Sequence, residues 1–247
     1  MLIVANWKAY VEDVEKARGL YAIAKRLARM TKHTLVLAPP APLLGALALR
    51  NRSSVAFAAQ DISATTGGAT TGEVTAAAYA ASGASYALVG HSERRAAGDT
   101  DRIVAEKLVR AFAHGLAPIL CIGERERDGE GRYLGYLREQ LTTALSGLSP
   151  KERMKVLVAY EPLWAIGKSA ASAIGPNDLA EMTLYIRKVL AELLPGKSAS
   201  RSLVLYGGSV EPENIRGLAA SSDVDGFLIG HASIDTRLFS HLVKQLS

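Results

Sequence analysis

Short runs of apolar residues alternate along the chain with longer segments in which apolar residues recur at helical spacing. The short runs are apolar at nearly every position, which is typical of strands buried on both faces of a parallel sheet. Eight such runs are predicted as strands, and they cover residues 2–6, 34–38, 55–60, 86–90, 117–122, 155–160, 202–206 and 226–229.

The segments between these strands carry amphipathic helical patterns, in which apolar side chains share one face. A helix after each strand, without a Pro- or Ser-rich linker, predicts a single α/β domain over residues 1–247, a closed (β/α)8 barrel. A doubly wound open sheet is the alternative, but no GxGxxG motif opens the first helix. The clearest helical faces are Val14, Ala17, Leu20, Tyr21, Ala24, Leu27 and Ala28; Ile103, Leu108, Ala111 and Phe112; Leu179, Met182, Ile186, Val189, Leu190 and Leu193; and Leu238, Leu242 and Leu246.

Composition narrows the class of protein further. The chain is 49% hydrophobic and 21% charged, which predicts a globular protein without a membrane span. The formal net charge of +5 weakly favours anionic partners, but the basic runs are mixed with acids and aromatic residues are scarce, so nucleic-acid binding is not expected. The one cysteine, Cys121, lies in an apolar run and is expected to be inert. We expect no metal site and a cytoplasmic location.

Reactive side chains directly follow several of the predicted strands. Residues 6–8 (Asn-Trp-Lys) follow the first strand, residues 91–95 (His-Ser-Glu-Arg-Arg) the fourth, and residues 161–164 (Glu-Pro-Leu-Trp) the sixth. Glycine-rich turns at 207–209 and 230–231 follow the seventh and eighth strands. Because the carboxyl ends of barrel strands meet around one mouth, a cation, an imidazole, a carboxylate and two backbone-donor turns are predicted in one site. This combination suits an anionic substrate such as a phosphate.

Each of these residues also has a simpler interpretation. Lys8 or Glu161 alone is more often a solvated charge, His91 alone is as often a buried structural histidine, and the glycines at 207–208 can form a mere tight turn. A histidine at a helix start, however, meets the positive end of the helix dipole, which disfavours the imidazolium form. We therefore expect His91 to be a neutral imidazole.

Four segments together resemble the signature blocks of the triosephosphate isomerase family, in the family's order. They are residues 6–8 (NWK), 90–95 (GHSERR), 159–167 (AYEPLWAIG) and 206–210 (YGGSV). The resemblance extends over essentially the whole chain. It implies a TIM barrel that interconverts dihydroxyacetone phosphate and D-glyceraldehyde 3-phosphate through an enediolate, in glycolysis and gluconeogenesis, without a cofactor.

The resemblance also implies roles for individual residues. Glu161 is implied as the base that removes a carbon-bound proton, and His91, Lys8 and Asn6 as donors to the oxyanion that develops. The implied supporting residues are Ser92 and Glu93, and the implied substrate- and phosphate-binding residues are Asn6, Lys8, Gly167, Ser209, Gly230 and His231.

Residues 162–170 resemble the mobile lid of the family, which closes over the phosphate and shields the enediolate. The lid residues implied here are Pro162, Trp164, Ile166 and Gly167, and the backbone amide of Gly167 is expected to meet the phosphate.

The chain departs from the family pattern at two places. Lys168 and Ser169 stand where the family usually has Thr-Gly, and the lost glycine predicts a stiffer lid tip. His231 stands where the family commonly has a glycine whose amide meets the phosphate, so we expect weaker or pH-dependent phosphate binding.

The Gly/Thr-rich loop at residues 65–72 resembles a family loop that reaches into a partner subunit beside the active site. The resemblance therefore implies a homodimer, with Gln60 and Thr71 as candidate interface residues.

Two other functions stay open. An isomerase of a related short-chain sugar phosphate, such as a tetrulose phosphate, would keep the same fold and base, and the altered lid borders its pocket. A non-catalytic barrel would have at least one broken catalytic position, whereas Asn6, Lys8, His91 and Glu161 are all present.

Overall fold

Eight parallel strands close into a barrel in chain order in the computed structural model, which describes residues 1–167, 173–194 and 202–246. This architecture confirms the predicted (β/α)8 fold. The strands are β1 (Leu2–Asn6), β2 (Thr34–Ala38), β3 (Ala56–Ala59), β4 (Tyr86–Val89), β5 (Ala117–Ile122), β6 (Leu157–Tyr160), β7 (Val204–Tyr206) and β8 (Gly226–Ile229).

Helices surround the barrel in the described part of the chain. Short 3-10 helices at Leu163–Ala165 and His231–Ile234 follow β6 and β8. The α-helices are α1 (Val14–Met30), α2 (Ala41–Ala48), α3 (Ala76–Ala81), α4 (Ser92–Ala96), α5 (Asp101–Ala113), α6 (Arg132–Leu145), α7 (Pro150–Arg153), α8 (Pro176–Leu193), α9 (Ile215–Ser221) and α10 (Thr236–Gln245). None of the described helices is long and apolar enough to cross a membrane.

Side chains along each strand alternate between the barrel interior and the layer beneath the helices. In β1, Val4 belongs to the interior cluster, whereas Ile3 and Ala5 pack in the outer cluster together with helix residues such as Leu20. Both layers exclude solvent, which is the physical reason that nearly every strand position is apolar.

Cys121 lies within the interior cluster and is fully buried. Burial, reinforced by the nearby carboxylate of Glu161, raises the pKa of this thiol well above its ordinary value. Since the thiolate is the reactive form, this environment supports the expectation of an inert cysteine.

The observed strands differ from the predicted ones only at their ends. Predicted strand residues at 55, 60, 90, 155–156 and 202–203 lie outside the ladder. Several of their main-chain groups bond elsewhere: the carbonyl of Val55 accepts a hydrogen bond from the side-chain amide of Asn51, and the N–H of Lys155 donates to the carbonyl of Glu152. Gly90 adopts a φ of 74°, which ends the extended conformation of β4.

Helices α2 and α3 carry no distinct amphipathic pattern in the sequence. Their sequences, APLLGALA and AAAYAA, are apolar almost all round, so the helical period has no polar face to contrast with. Thr75 nevertheless caps α3, because its side chain accepts a hydrogen bond from the N–H of Ala78.

A buried lysine ties α5 to the loop that follows β3. The Nζ of Lys107 lies 2.8 Å from both carboxylate oxygens of Asp61 and 2.5 Å from Oδ2 of Asp99, and only 4% of its side chain is exposed. Arg94 also contacts Asp61, with 2.9 Å between Nε and Oδ2. Lys107 is therefore the buried cation that both carboxylates share, and Arg94 adds a second positive charge at Asp61.

Replacing this lysine should strongly destabilise the fold. We expect Lys107→Met to lower the free energy of unfolding by about 3–5 kcal/mol, because both carboxylates lose their buried partner. Urea unfolding followed by circular dichroism measures the change. The matched control is Lys32→Met at an exposed position, which should change stability by less than about 0.5 kcal/mol. Equal stability of the two variants would contradict this account of the cluster.

Candidate active site

The carboxyl ends of the strands surround a cavity of about 600 Å³. This volume lies within the range of small-molecule sites. Tyr10 and Glu211 also line the cavity, although the sequence pattern did not single them out. The predicted site residues in its lining are Asn6, Lys8, His91, Glu93, Glu161, Ile166, Gly167, Ser209, Gly230 and His231.

Lys8 is held at the cavity mouth in an uncommon backbone conformation, with a φ of 46°. The Oδ1 of Asn6 accepts its N–H at 3.0 Å, and the side-chain amide of Gln60 donates to its carbonyl at 2.9 Å. Its Nζ lies 2.7 Å from Oε1 of Glu93. Asn6 and Gln60 therefore hold the main chain of Lys8, and Glu93 holds its ammonium group.

The candidate interface residues lie in different settings. Gln60 makes its described hydrogen bonds inside its own chain, to the carbonyls of Lys8 and Ala38. Thr71 is exposed in the loop between β3 and α3 and does not line the cavity. The dimer itself stays a prediction.

His91 is buried at the start of α4, where it caps the helix. Its Nδ1 accepts the backbone N–H of Glu93 at 3.2 Å. A backbone N–H can only donate, so Nδ1 carries no proton and the ring is a neutral imidazole protonated at Nε2. This geometry supports the neutral state that the helix start predicts, and it directs the Nε2–H into the cavity.

Glu161 is 2% exposed and directly follows β6. Its Oε1 lies 3.2 Å from Nε2 of His91, and its Oε2 accepts the N–H of Ser92 at 3.2 Å. Within the described residues, no lysine or arginine forms an ion pair with it. The carboxylate is therefore buried among neutral donors.

Two glycines keep space open for this carboxylate. A Cβ added at Gly207 would lie 2.9 Å from Cγ of Glu161, and one added at Gly123 would lie 1.9 Å from its carbonyl oxygen. Only glycine at these positions allows β5, β6 and β7 to end so close to the glutamate.

The turns after β7 and β8 line the same cavity, between the ends of β6 and β1. Ser209 follows the Gly207-Gly208 pair, and its Oγ donates to the carbonyl of Ala165 in the predicted lid. Gly230 precedes the 3-10 helix that starts at His231. His231 is exposed and does not have a positive φ, so a side chain is tolerated here and its amide stays at a helix start.

The first part of the predicted lid is anchored to the loop after β5. The N–H of Leu163 donates to the carbonyl of Glu124 at 2.9 Å, and the indole Nε1 of Trp164 donates to Oε1 of Glu124 at 2.9 Å. Gly167 is exposed with a φ of 69°. Neither Pro162 nor Trp164 lines the cavity, whereas Ile166 and Gly167 do. The substituted positions Lys168 and Ser169, and Ala170, lie outside the described residues.

Glu124 is a buried carboxylate that the sequence reasoning missed. Its Oε1 also accepts the hydroxyl of Tyr160 at 2.8 Å and lies 3.2 Å from Nε of Arg127. A sequence signal was present, because Gly123-Glu124 follows an apolar strand just as Glu161 does. In the described part of the chain no three His, Cys, Asp or Glu side chains are arranged to hold a metal ion.

Comparison with known proteins places this barrel in a family. The family model described as Triosephosphate isomerase matches residues 1–246. The chain belongs to the triosephosphate isomerase family. The triosephosphate isomerase of Thermus thermophilus is 40% identical over 247 residues, covering 99% of this chain and 98% of that protein.

Other members of the triosephosphate isomerase family match over a similar extent. The enzyme named triosephosphate isomerase from Symbiobacterium thermophilum is 38% identical, covering 97% of this chain and 94% of that protein. The one from Carboxydothermus hydrogenoformans is 37% identical, covering 98% and 97%. The resemblance in the four motifs thus extends to the barrel as a whole.

Proposed function

We propose that this chain interconverts dihydroxyacetone phosphate and D-glyceraldehyde 3-phosphate by proton transfer through an enediolate. One observation carries the proposal: the buried carboxylate of Glu161 lies 3.2 Å from the Nε2–H of a neutral His91, in a cavity that Lys8 also lines. A base, a neutral proton donor and a cation thus converge on one small volume. The whole-chain match to the triosephosphate isomerase family supports the same reaction.

Glu161 acts as the base in this mechanism. It removes a proton from the carbon next to the substrate carbonyl, and returns it to the neighbouring carbon. In the arrangement seen, its oxygens are occupied by His91 and Ser92, so the substrate has to displace these contacts before the carboxylate reaches carbon.

His91, Lys8 and Asn6 stabilise the negative charge that develops on the substrate oxygens. The Nε2–H of His91 donates to one oxygen, and a neutral imidazole can give up and regain this proton as the enediolate rearranges. The ammonium of Lys8 offsets negative charge, and Asn6 holds the Lys8 backbone by the hydrogen bond at 3.0 Å. Every step uses side chains of this chain, so the mechanism requires no cofactor.

Backbone donors in the turns between Glu161 and Lys8 bind the phosphate. We assign this role to Ser209, Gly230 and His231 in the turns after β7 and β8, together with Gly167 from the lid. All four line the same cavity as Glu161. Turns and helix starts of this kind favour anions because their N–H groups point at the ligand.

Replacing the base tests the reaction and the assignment together. We expect Glu161→Gln to lower kcat for glyceraldehyde 3-phosphate by about 10³-fold, because the amide cannot accept the carbon-bound proton. A coupled steady-state assay measures the rate. The control is Glu213→Gln, which removes an exposed carboxylate and should retain parental activity.

One outcome of this assay would leave the reaction unassigned, and another would count against the three-carbon substrate. Equal activity of parent and Glu161→Gln would indicate contaminating host isomerase, since both proteins are prepared identically. Low parental activity on the three-carbon substrate with higher turnover of a four-carbon tetrulose phosphate would favour the longer substrate, for which the cavity of about 600 Å³ also has room.

His231 gives the phosphate site a second testable property. It lies at the cavity lining near Glu211, whose pKa is raised by burial while the charge of His231 acts to lower it. A protonated imidazole at this position would add attraction for the phosphate. We expect KM to rise with pH more steeply in the parent than in His231→Gly.

The substrate's own phosphate changes charge near pH 6, and this affects the KM of both proteins equally. The His231→Gly variant therefore also serves as the control for this effect. KM is measured from about pH 6 to 8 in both. Identical KM values at every pH would remove the His231 imidazole, but not its backbone amide, from the account of phosphate binding.

We further propose that the enzyme is a cytoplasmic homodimer acting in glycolysis and gluconeogenesis. The exposed loop carrying Thr71 supports the dimer, because its family counterpart contacts a partner subunit; the single buried cysteine suits a reducing compartment. Light scattering at micromolar concentration should give twice the mass of the 26.2 kDa chain. A monomeric mass would contradict the dimer and leave the chemistry untouched.

A further inference from the structure

Positive charge is concentrated in one part of the chain. Residues 16–60 contain eight lysines and arginines and no aspartate or glutamate, so their charge exceeds the +5 of the whole chain. The fold gathers much of this charge at a groove between α1 and the connection from α2 to β3. We call it the basic groove, and the cations that line it are Arg18, Lys25, Arg29, Arg50 and Arg52. Among the described residues, no aspartate or glutamate lines it.

The basic groove consists of two joined recesses of about 750 and 490 Å³, which share Tyr21, Lys25 and Arg50. Each volume lies within the range of small-molecule sites. Arg29 precedes β2 and Arg50 precedes β3, so this part of the groove lies towards the amino ends of the strands. The candidate active site lies at the carboxyl ends, and its lining has no residue in common with the groove.

One wall of the groove is a row of cations on α1. Arg18, Lys25 and Arg29 are spaced by seven and four residues, which places them on one face of the helix over a length of about 16 Å. Tyr21 lies in the same row, and the Nζ of Lys25 is 4.6 Å from the centroid of its ring.

The other wall is joined to this helix through Asn51. The Oδ1 of Asn51 accepts the hydroxyl of Tyr21 at 2.6 Å, and its Nδ2 donates to the carbonyl of Val55 at 2.6 Å. Arg50 and Arg52 are the neighbours of Asn51 in the chain. The hydrogen bonds of one residue thus hold both arginines opposite the cations of α1.

The five cations of the groove form no ion pair within the described part of the chain. Arginines on other faces do pair: Arg94 with Asp61, Arg138 with Glu192, and Arg187 with Asp225. Like charges around one recess repel each other and lower the stability of the folded state. A bound anion would remove this repulsion.

The number and type of these groups favour phosphate chemistry. The planar fork of an arginine matches the oxygens of a phosphate, and one phosphate group carries at most about two charges, so five cations exceed what a single group neutralises. The ring of Tyr21 is buried and covered by Lys25, which leaves no open aromatic surface for stacking the bases of a nucleic-acid strand. The groove is therefore suited to a small molecule with several phosphate groups.

We propose that the basic groove is a second anion site, which binds a small molecule carrying a chain of phosphate groups. Inorganic tripolyphosphate and the triphosphate of a nucleotide share this chemistry. The site lies outside the proposed catalytic centre, and the inference does not depend on the isomerase activity.

The first test measures the Kd of tripolyphosphate by calorimetry, with glycerol 3-phosphate present in excess to fill the active-site cavity. The groove variant is Lys25→Gln/Arg50→Gln, which removes the two cations that both recesses share. The matched control is Lys188→Gln/Arg216→Gln, which removes the same charges from exposed positions on α8 and α9. We expect at least about tenfold weaker binding by the groove variant, whereas the control should match the parent.

Thermal unfolding gives an independent measurement of the same site. Tripolyphosphate should raise the Tm of the parent and of the control, because it binds the folded state, and should raise the Tm of the groove variant less. Without the probe and at low salt, the groove variant should have a higher Tm than the control, because it lacks part of the repulsion.

Adenosine triphosphate distinguishes the two sources of the ligand. Tighter binding of this nucleotide than of tripolyphosphate would assign a nucleotide, and equal binding would assign the phosphate chain alone.

Three results would overturn the inference. The first is an equal Kd for tripolyphosphate in the parent and the groove variant. The second is binding that disappears when glycerol 3-phosphate fills the active-site cavity, which would place the probe there. The third is tighter binding of a polyglutamate peptide than of tripolyphosphate, which would replace the phosphate ligand with an acidic protein segment.

Discussion

The pairing of β1 with β8 is the constraint on which the site depends. It closes the barrel, and it requires a glycine at position 226, where a Cβ would lie 1.8 Å from the carbonyl oxygen of Leu2. Closure also sets the side chain of Lys8 beside the turn after β8, with its Cε 3.6 Å from the place of a Cβ on Gly230. Lys8, near one end of the chain, thereby lies beside the turn near the other end that we propose binds the phosphate.

Two buried carboxylates follow neighbouring strands and differ in their partners. Glu161, after β6, is hydrogen-bonded by the neutral donors His91 and Ser92. Glu124, after β5, is paired with the cation Arg127 and also accepts two further hydrogen bonds. A cationic partner stabilises a carboxylate as an anion, whereas neutral donors leave it more able to accept a proton. The first arrangement suits a base and the second suits an anchor for the lid.

A few hydrogen bonds connect Glu161 and the segment that follows it to the neighbouring loops. The N–H of Glu161 donates to the carbonyl of Ile122 in β5, and the N–H of Leu163 donates to the carbonyl of Glu124. Ser209, after β7, holds the carbonyl of Ala165. The segment between Glu161 and Gly167 is therefore held on both sides, by the loop after β5 and by the turn after β7.

The sequence by itself determined the barrel and most of the cavity lining. Strands buried on both faces are apolar at every position, and reactive residues that follow such strands have to gather at one mouth, so the hydrophobic pattern alone locates Lys8, His91 and Glu161. The hydrophobic pattern could not give the exact first and last residue of each strand. The carbonyl of Val55, for example, bonds to the side chain of Asn51, and such a contact leaves no mark in the pattern.

Only the tertiary structure decided how these residues are paired. The contact between Nδ1 of His91 and the N–H of Glu93 places the imidazole proton on Nε2. The side chain of Gln60 holds the main chain of Lys8, although the sequence suggested Gln60 as an interface residue. The cluster of Glu124, Arg127 and Trp164 joins residues up to 40 positions apart. Hydrophobic periodicity reports which face of an element is buried, but hydrogen bonds and cation–π contacts depend on distances between elements, and these exist only once the barrel has closed.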